Sequence, residues 1–212
     1  ISGDAVDDLI SQVTFGDAQI VTVSLEGIQD ALAPSGRVIF CGSFNPLHHG
    51  HRQLMQVASE ITGLAPLFEI SIKNVEKPDL KLEQVEGRIA QMRWDSPVVV
   101  TRASTFVDKA VLLPNSVFLV GYDTAVRLFD ERYYPPYEAS DDPENTGSAY
   151  GVALMKIRRY GGSFLVAGRL EHGIYKTLSD IEPAQTFADI FTEILPDQFR
   201  VDLSSTEVRR HG

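Results

Sequence analysis

Arg37-Val38-Ile39-Phe40-Cys41-Gly42-Ser43-Phe44-Asn45-Pro46-Leu47-His48-His49-Gly50-His51 is the stretch that decides the fold. Arg37 to Cys41 form a short apolar run of the kind a buried strand requires, and the Gly, Asn and Pro that follow break regular structure. From His51 to Ile61, the residues Leu54, Val57, Ala58 and Ile61 recur at spacings of three and four, the period of an amphipathic helix. A strand, a glycine loop and a helix in that order form the first half of a crossover unit, whose second strand lies parallel to the first.

The alternation continues downstream. Leu67 to Ile72 alternate like a half-buried strand, and Leu82 to Trp94 read as a helix with Val85, Ile89 and Met92 on one side. Val98 to Thr101 form a β-branched strand, Phe106 to Leu113 a short helix closed by Pro114, and Val117 to Val120 a strand ending at Gly121. A helix is expected over Thr124 to Phe129. Between Tyr133 and Ala149, Pro135-Pro136 and Asp141-Asp142-Pro143 oppose regular structure and predict an exposed acidic loop. The remainder reads as a helix over Gly151 to Tyr160, a strand over Phe164 to Ala167, a helix over Ala184 to Leu195 and a last strand over Phe199 to Leu203. Alternation of this kind predicts an α/β fold: a doubly wound parallel sheet with helices on both faces. Upstream, residues 1–34 are acidic at their start and carry no phosphate-binding pattern. They are expected to be an N-terminal extension or the tail of a preceding domain, with residues 35–212 as the main domain.

Composition narrows the function. A formal charge of −10 argues against a general nucleic-acid binder, which ordinarily displays excess basic charge. Cys41 is the one cysteine, so neither an intrachain disulfide framework nor a multi-cysteine zinc site is available. A reducing compartment, cytoplasmic or organellar, is the expectation. No run of about 18 apolar residues predicts a membrane span, and neither a membrane nor a nucleic acid is expected as a partner. The chain begins at Ile1 and stops at Gly212, so a removed targeting segment or a flanking domain is compatible with it.

The loop itself suits phosphate. In an open α/β sheet, ligands collect at the carboxyl ends of strands, where a helix N-terminus offers unpaired N–H groups. Gly42 lets a nucleotide approach the backbone, Pro46 stiffens the loop, and Gly50 leaves room beside the first helical turn. His48 and His51 fall on the same side of that turn. The plainer alternative is that these histidines cap a helix or bind a metal. A Walker Gly-Lys-Ser/Thr pattern and a Gly-x-Gly-x-x-Gly fingerprint after a strand are both missing, which disfavours a P-loop NTPase or a dehydrogenase. Near the other end, Leu203-Ser204-Ser205-Thr206-Glu207-Val208-Arg209 follows the last expected strand. Its hydroxyls can cap a helix and face a triphosphate, with Arg209 a turn later as a forked cation.

Together these two segments resemble the Gly-x-Phe-x-Pro-x-His-x-Gly-His and Ile-Ser-Ser-Thr-x-x-Arg motifs of the nucleotidylyltransferase superfamily, with Leu203 in place of the isoleucine. The chain ends three residues after Arg209, where that superfamily continues into a complete helix. The resemblance implies a Rossmann-like fold and nucleotide binding by Gly42, Ser43, Phe44, Gly50, Ser204, Ser205 and Thr206, with His48, His51 and Arg209 as the catalytic set. In the middle of the chain, Glu69-Ile70-Ser71, Asn74, Lys77-Pro78, Arg88-x-x-x-Met92, Thr105-Phe106-Val107-Asp108-Lys109 and Gly121-x-Asp123 are similar to nicotinamide mononucleotide adenylyltransferases and their plant and fungal relatives. That likeness adds Gly121 and Asp123 to the nucleotide site and Lys77 and Arg88 to the acceptor site. Trp94 or Phe106 is a candidate to stack on a pyridine ring. Plainer readings stand beside these: Asp123 as a helix cap, Lys77 as a solvated cation, Arg88 paired along its helix, and both aromatics as core.

The reaction implied is transfer of AMP from ATP, accompanied by Mg²⁺, to nicotinamide or nicotinate mononucleotide, with release of pyrophosphate. No metal held by protein ligands is expected. ATP and a mononucleotide are the expected partners, and the oligomeric state is not legible. Two other readings remain open: a different phosphorylated acceptor, as in pantetheine-phosphate adenylyltransferases or cytidylyltransferases, and a non-catalytic nucleotide-binding or assembly protein.

Overall fold

The computed structural model describes residues 4–74, 78–92, 96–134 and 147–200. Its elements in chain order are α1 (Asp4–Phe15), β1 (Ile20–Val23), β2 (Gln29–Asp30), β3 (Arg37–Cys41), α2 (His49–Thr62), β4 (Ala65–Ser71), α3 (Leu82–Met92), β5 (Val98–Thr101), α4 (Phe106–Leu112) and β6 (Val117–Gly121). These are followed by α5 (Tyr122–Arg127), α6 (Ala149–Arg159), β7 (Ser163–Ala167), β8 (Arg169–Glu171), β9 (Ile174–Lys176) and β10 (Phe191–Ile194), with short 3-10 turns around the last elements.

The main sheet runs β10-β7-β6-β3-β4-β5-β1-β2. From β10 to β5 every neighbouring pair is parallel. The chain therefore steps from β3 to β4 and β5, then returns to the far side of β3 with β6, the doubly wound order of a Rossmann-like fold. Burial explains the parallel strands: Val98 to Thr101 are buried throughout, as strands covered on both faces must be. One apolar cluster joins the sheet to α1, α2 and α3 through Val13, Leu54, Ala58, Val85 and Met92. The other joins it to α4, α5 and α6 through Ala110, Ala125, Leu154 and Ile157.

The stretch upstream of Gly36 is built into this sheet. β1 pairs antiparallel with β5, from Ile20 opposite Thr101 to Val23 opposite Val98, and β2 pairs antiparallel with β1. Val13 and Val21 are fully buried in the first cluster.

Near the C-terminus the sequence expectation fails. The helix expected over Ala184 to Leu195 is instead a 3-10 segment over Glu182–Phe187 followed by strand β10. β10 lies parallel to β7, with Phe191 opposite Phe164 and Ile194 opposite Ala167. Phe191 stacks on Phe164 at 4.9 Å between centroids and 13° between planes. Completing the open edge of β7 and stacking two aromatic rings outweighs a helical spacing that is only local. Phe199 and Arg200 carry no strand, while residues 201–203 of the expected last strand lie outside the described residues. β8 and β9 form a separate hairpin turning at His172-Gly173, which the sequence reading did not include.

Among the described residues, no helix is long and apolar enough to cross a membrane.

Candidate nucleotide site

The cleft lies at the carboxyl ends of β3 and β6, the point where the winding of the sheet reverses. Phe40 stands opposite Leu119, so Gly42 and Gly121, each two residues further along, end up abreast. The chain leaving β3 turns to the α2 face and the chain leaving β6 to the α5 face, the arrangement at which open α/β sheets hold their ligands.

The β3–α2 loop is packed around Phe44. Its side chain is 2% exposed, and its φ of +42° is unusual for a residue with a side chain. The ring sits edge-on to Phe40, Phe68 and His51 at centroid distances of 5.3, 5.1 and 5.3 Å. Gly42 has no Cβ because a methyl there would lie 2.7 Å from Cζ of that ring. Phe44 therefore shapes the loop from beneath, as a core residue, while Ser43 beside it is exposed. The loop is also tied to α3: the Leu47 N–H donates to Oε1 of Gln91 at 2.8 Å, and Nη2 of Arg52 donates to the Gln91 carbonyl at 3.3 Å.

The α2 helix starts at His49 with His48 as its N-cap, and it ends at Gly63, whose φ of +66° lets its N–H close on the Ser59 carbonyl. Gly50, in the first turn, is half-buried. The His48 and His51 rings stack at 3.6 Å between centroids. The His48 backbone N–H donates to Nδ1 of His51 at 3.2 Å. With Nδ1 accepting, the proton of a neutral His51 resides on Nε2. Burial, then the neighbouring His48 and Arg52, hold the His51 imidazole down to about 4. Burial and then Arg52 lower His48 as well. Both rings are consequently neutral donors at neutral pH.

Arg88 lies one turn before Gln91 on α3, which brings it to the side of the 42–51 loop. It is half-buried, burial lowers its pKa, and among the described residues it forms no ion pair. Asp123 is an exposed residue in the first turn of α5; the cap itself is Gly121. Its carboxylate pairs with Arg169 at the start of the β8–β9 hairpin. A Cβ on Gly121 would meet nothing within 4 Å, so packing within the chain places no demand for glycine there.

Phe106 plays a double part. It packs edge-on to Phe118 and Phe164 in the core, and it also lines a cavity of about 210 Å³ with Asn74, Thr105, Thr124, Arg127, Tyr133 and other neighbours. Arg88 does not line this cavity. Lys77, Trp94, Ser204, Ser205, Thr206 and Arg209 lie outside the described residues.

The sequence reading overlooked Gln91, Arg52 and the tyrosine side of the cavity. Gln91 has no local signal, because its role depends on a loop more than 40 residues away. Arg52 directly follows the motif, and its adjacency to His51 was the available clue.

A family model described as cytidylyltransferase-like matches residues 39–211. No curated protein is matched by the chain. The matched span starts within β3 and takes in the histidine loop and the serine-rich segment at the other end, the two places where the superfamily motifs were read. The chain belongs to the cytidylyltransferase-like family, and so to the nucleotidylyltransferases.

Proposed function

We propose that the chain transfers AMP from ATP to nicotinamide or nicotinate mononucleotide, forming the dinucleotide and pyrophosphate. The observation that carries this reading is the neutral His48–His51 pair stacked at the N-terminus of α2, where the sheet reverses its winding. A phosphate oxygen of the acceptor attacks the α-phosphorus of ATP, the bond to the bridging oxygen breaks, and pyrophosphate leaves. The chain's part is alignment of two anions and stabilisation of charge on the leaving group. His51 donates from Nε2 to the triphosphate, and the helix N-terminus adds unpaired N–H groups. Ser204, Ser205 and Arg209 hold the β and γ phosphates in this proposal, and Asp123 contacts the nucleoside.

The first turn of α2 contains no acidic residue. Mg²⁺ is therefore proposed to arrive on the ATP phosphates, where it screens their charge.

The cavity beside Phe106 supports an aromatic acceptor. Phe106, Tyr133 and Tyr134 line it with aromatic rings, Thr124 with a hydroxyl, and Arg127 with a cation. At about 210 Å³ it is smaller than the roughly 300–1,000 Å³ of sites that enclose a drug-sized ligand. It suits one end of the acceptor, with the phosphate reaching toward the histidines.

The test is pyrophosphate release by the purified chain with ATP, Mg²⁺ and either mononucleotide, with NAD detected through a coupled dehydrogenase. CTP and phosphopantetheine form the comparison arms, CTP because of the family's description. NAD formation that His51→Ala abolishes supports the proposal. ATP binding without pyrophosphate release from any acceptor refutes it in favour of a non-catalytic nucleotide-binding role.

A further inference from the structure

Glu69 is an acidic residue in the middle of the buried strand β4, with no exposure to solvent. Nζ of Lys109, itself 6% exposed, donates to its Oε2 at 2.6 Å, and the Thr101 hydroxyl donates to its Oε1 at 2.7 Å. Thr101 in turn accepts from the Ala103 N–H at 3.2 Å. Burial is the largest influence on the Lys109 amine and drives it downward, but the Glu69 carboxylate, together with Cys41 and Asp108, more than offsets burial and leaves the amine raised and charged. Replacing a buried ion pair by apolar residues of similar volume is often neutral or stabilising. Stability alone is therefore a poor reason for this pair.

Its place in the fold suggests another reason. The Glu69 carbonyl accepts from the Gly42 N–H at 3.2 Å, where the histidine loop leaves β3. Ala103 leads directly into Ser104, Thr105 and Phe106, which line the cavity, and Nζ of Lys109 lies 5.8 Å from the Phe106 ring centre. One buried network thus joins the end of β3, the middle of β4, the end of β5 and the first turn of α4.

We propose that Glu69 and Lys109 are positioning residues: their buried ion pair sets the distance between the histidine loop and the cavity beside Phe106, so that two bound phosphates meet in line. The proposal rests on the nucleotidyl-transfer reading of the cleft. Small displacements matter here, because misplacing reacting groups by about 1 Å costs on the order of 100-fold in rate.

Lys109→Met alone leaves a buried carboxylate without its partner and risks unfolding the chain. The decisive variant is Glu69→Leu/Lys109→Met, apolar and similar in volume. It is expected to unfold within about 5 °C of the wild-type temperature, because removal of two buried charges offsets the loss of the acceptor for the Thr101 hydroxyl, and to keep its KM for ATP within about twofold. Its turnover should fall roughly 10- to 100-fold. Calorimetry with nicotinamide mononucleotide, with and without a non-hydrolysable ATP analogue, adds a readout that a merely structural role would not move. The analogue should change mononucleotide affinity in the wild type and leave it unchanged in the variant. A folded double variant with wild-type turnover and wild-type coupling overturns the proposal. Failure of the underlying reading shows up separately, as a wild-type chain that transfers nothing, and it removes the proposal with it.

Discussion

Gly42→Ala tests whether the loop is shaped by the ring beneath it. The added Cβ would lie 2.7, 2.9 and 3.1 Å from Cζ, Cε1 and Cε2 of Phe44. Carbon atoms rest at about 3.5–4.0 Å, so the ring must retreat by roughly 0.8 Å. It has little room: Phe40, Phe68 and His51 contact it, and its side chain is 2% exposed. Overpacking of this kind costs about 1–3 kcal/mol. The displaced ring pushes on His51, so ATP affinity should fall as well. Urea denaturation of the wild type, Gly42→Ala, Phe44→Leu and the double variant forms a cycle. Because leucine vacates the contested space, the double variant should lose less than the sum of the singles, with a coupling of about 1 kcal/mol or more. A Gly42→Ala chain within about 0.5 kcal/mol of wild type, or strict additivity in the cycle, refutes the reasoning.

His51 also predicts a pH dependence. Its pKa is about 4 in the folded chain, against about 6.5 when unfolded, so between those values the unfolded state binds more protons. Stability from this group is therefore complete above pH 6.5 and declines as pH falls toward 4. The ceiling is about 3 kcal/mol, and partial solvent exposure of the ring reduces the expectation to about 1–2; His51→Gln should remove this slope from denaturation curves measured across that range. Since burial holds His51 neutral, its imidazole resonances should not titrate between about pH 6 and 8 by NMR, and a titration near 6.5 contradicts the assignment. Phe106→Leu, which keeps an apolar core side chain, should raise KM for the mononucleotide several-fold while leaving KM for ATP nearly unchanged, measured by initial rates. Arg169→Ala should alter stability by less than about 1 kcal/mol, because its pair with Asp123 is about half exposed; Asp123→Ala should weaken ATP binding in a direct titration.

The sequence by itself determined the elements whose signal is local. The apolar run Arg37–Cys41, the glycine loop and the helical spacing after His51 are read within a few residues, and they appear as β3, the loop and α2. The continuous apolar runs Val117–Val120 and Phe164–Ala167, set between helical stretches, likewise sufficed for parallel strands, and with them the fold class. Only the tertiary structure decided matters that depend on a distant partner. Phe191 and Ile194 are spaced well enough for a helix, yet the open edge of β7 and the ring of Phe164 make them a strand. Ile20–Val23 joins the sheet because β5 offers an antiparallel edge, which no residue upstream announces. Phe44 reads as a ligand contact in a motif and becomes core once Phe40 and Phe68 close on it. The alternation of Leu67–Ile72 places Glu69 on a solvent-facing side, but the strand is buried on both faces, and only folding brings Lys109, 40 residues away, to 2.6 Å from the glutamate. Periodicity and turn chemistry are properties of neighbours along the chain, whereas pairing, burial and the proton on His51 are properties of neighbours in space.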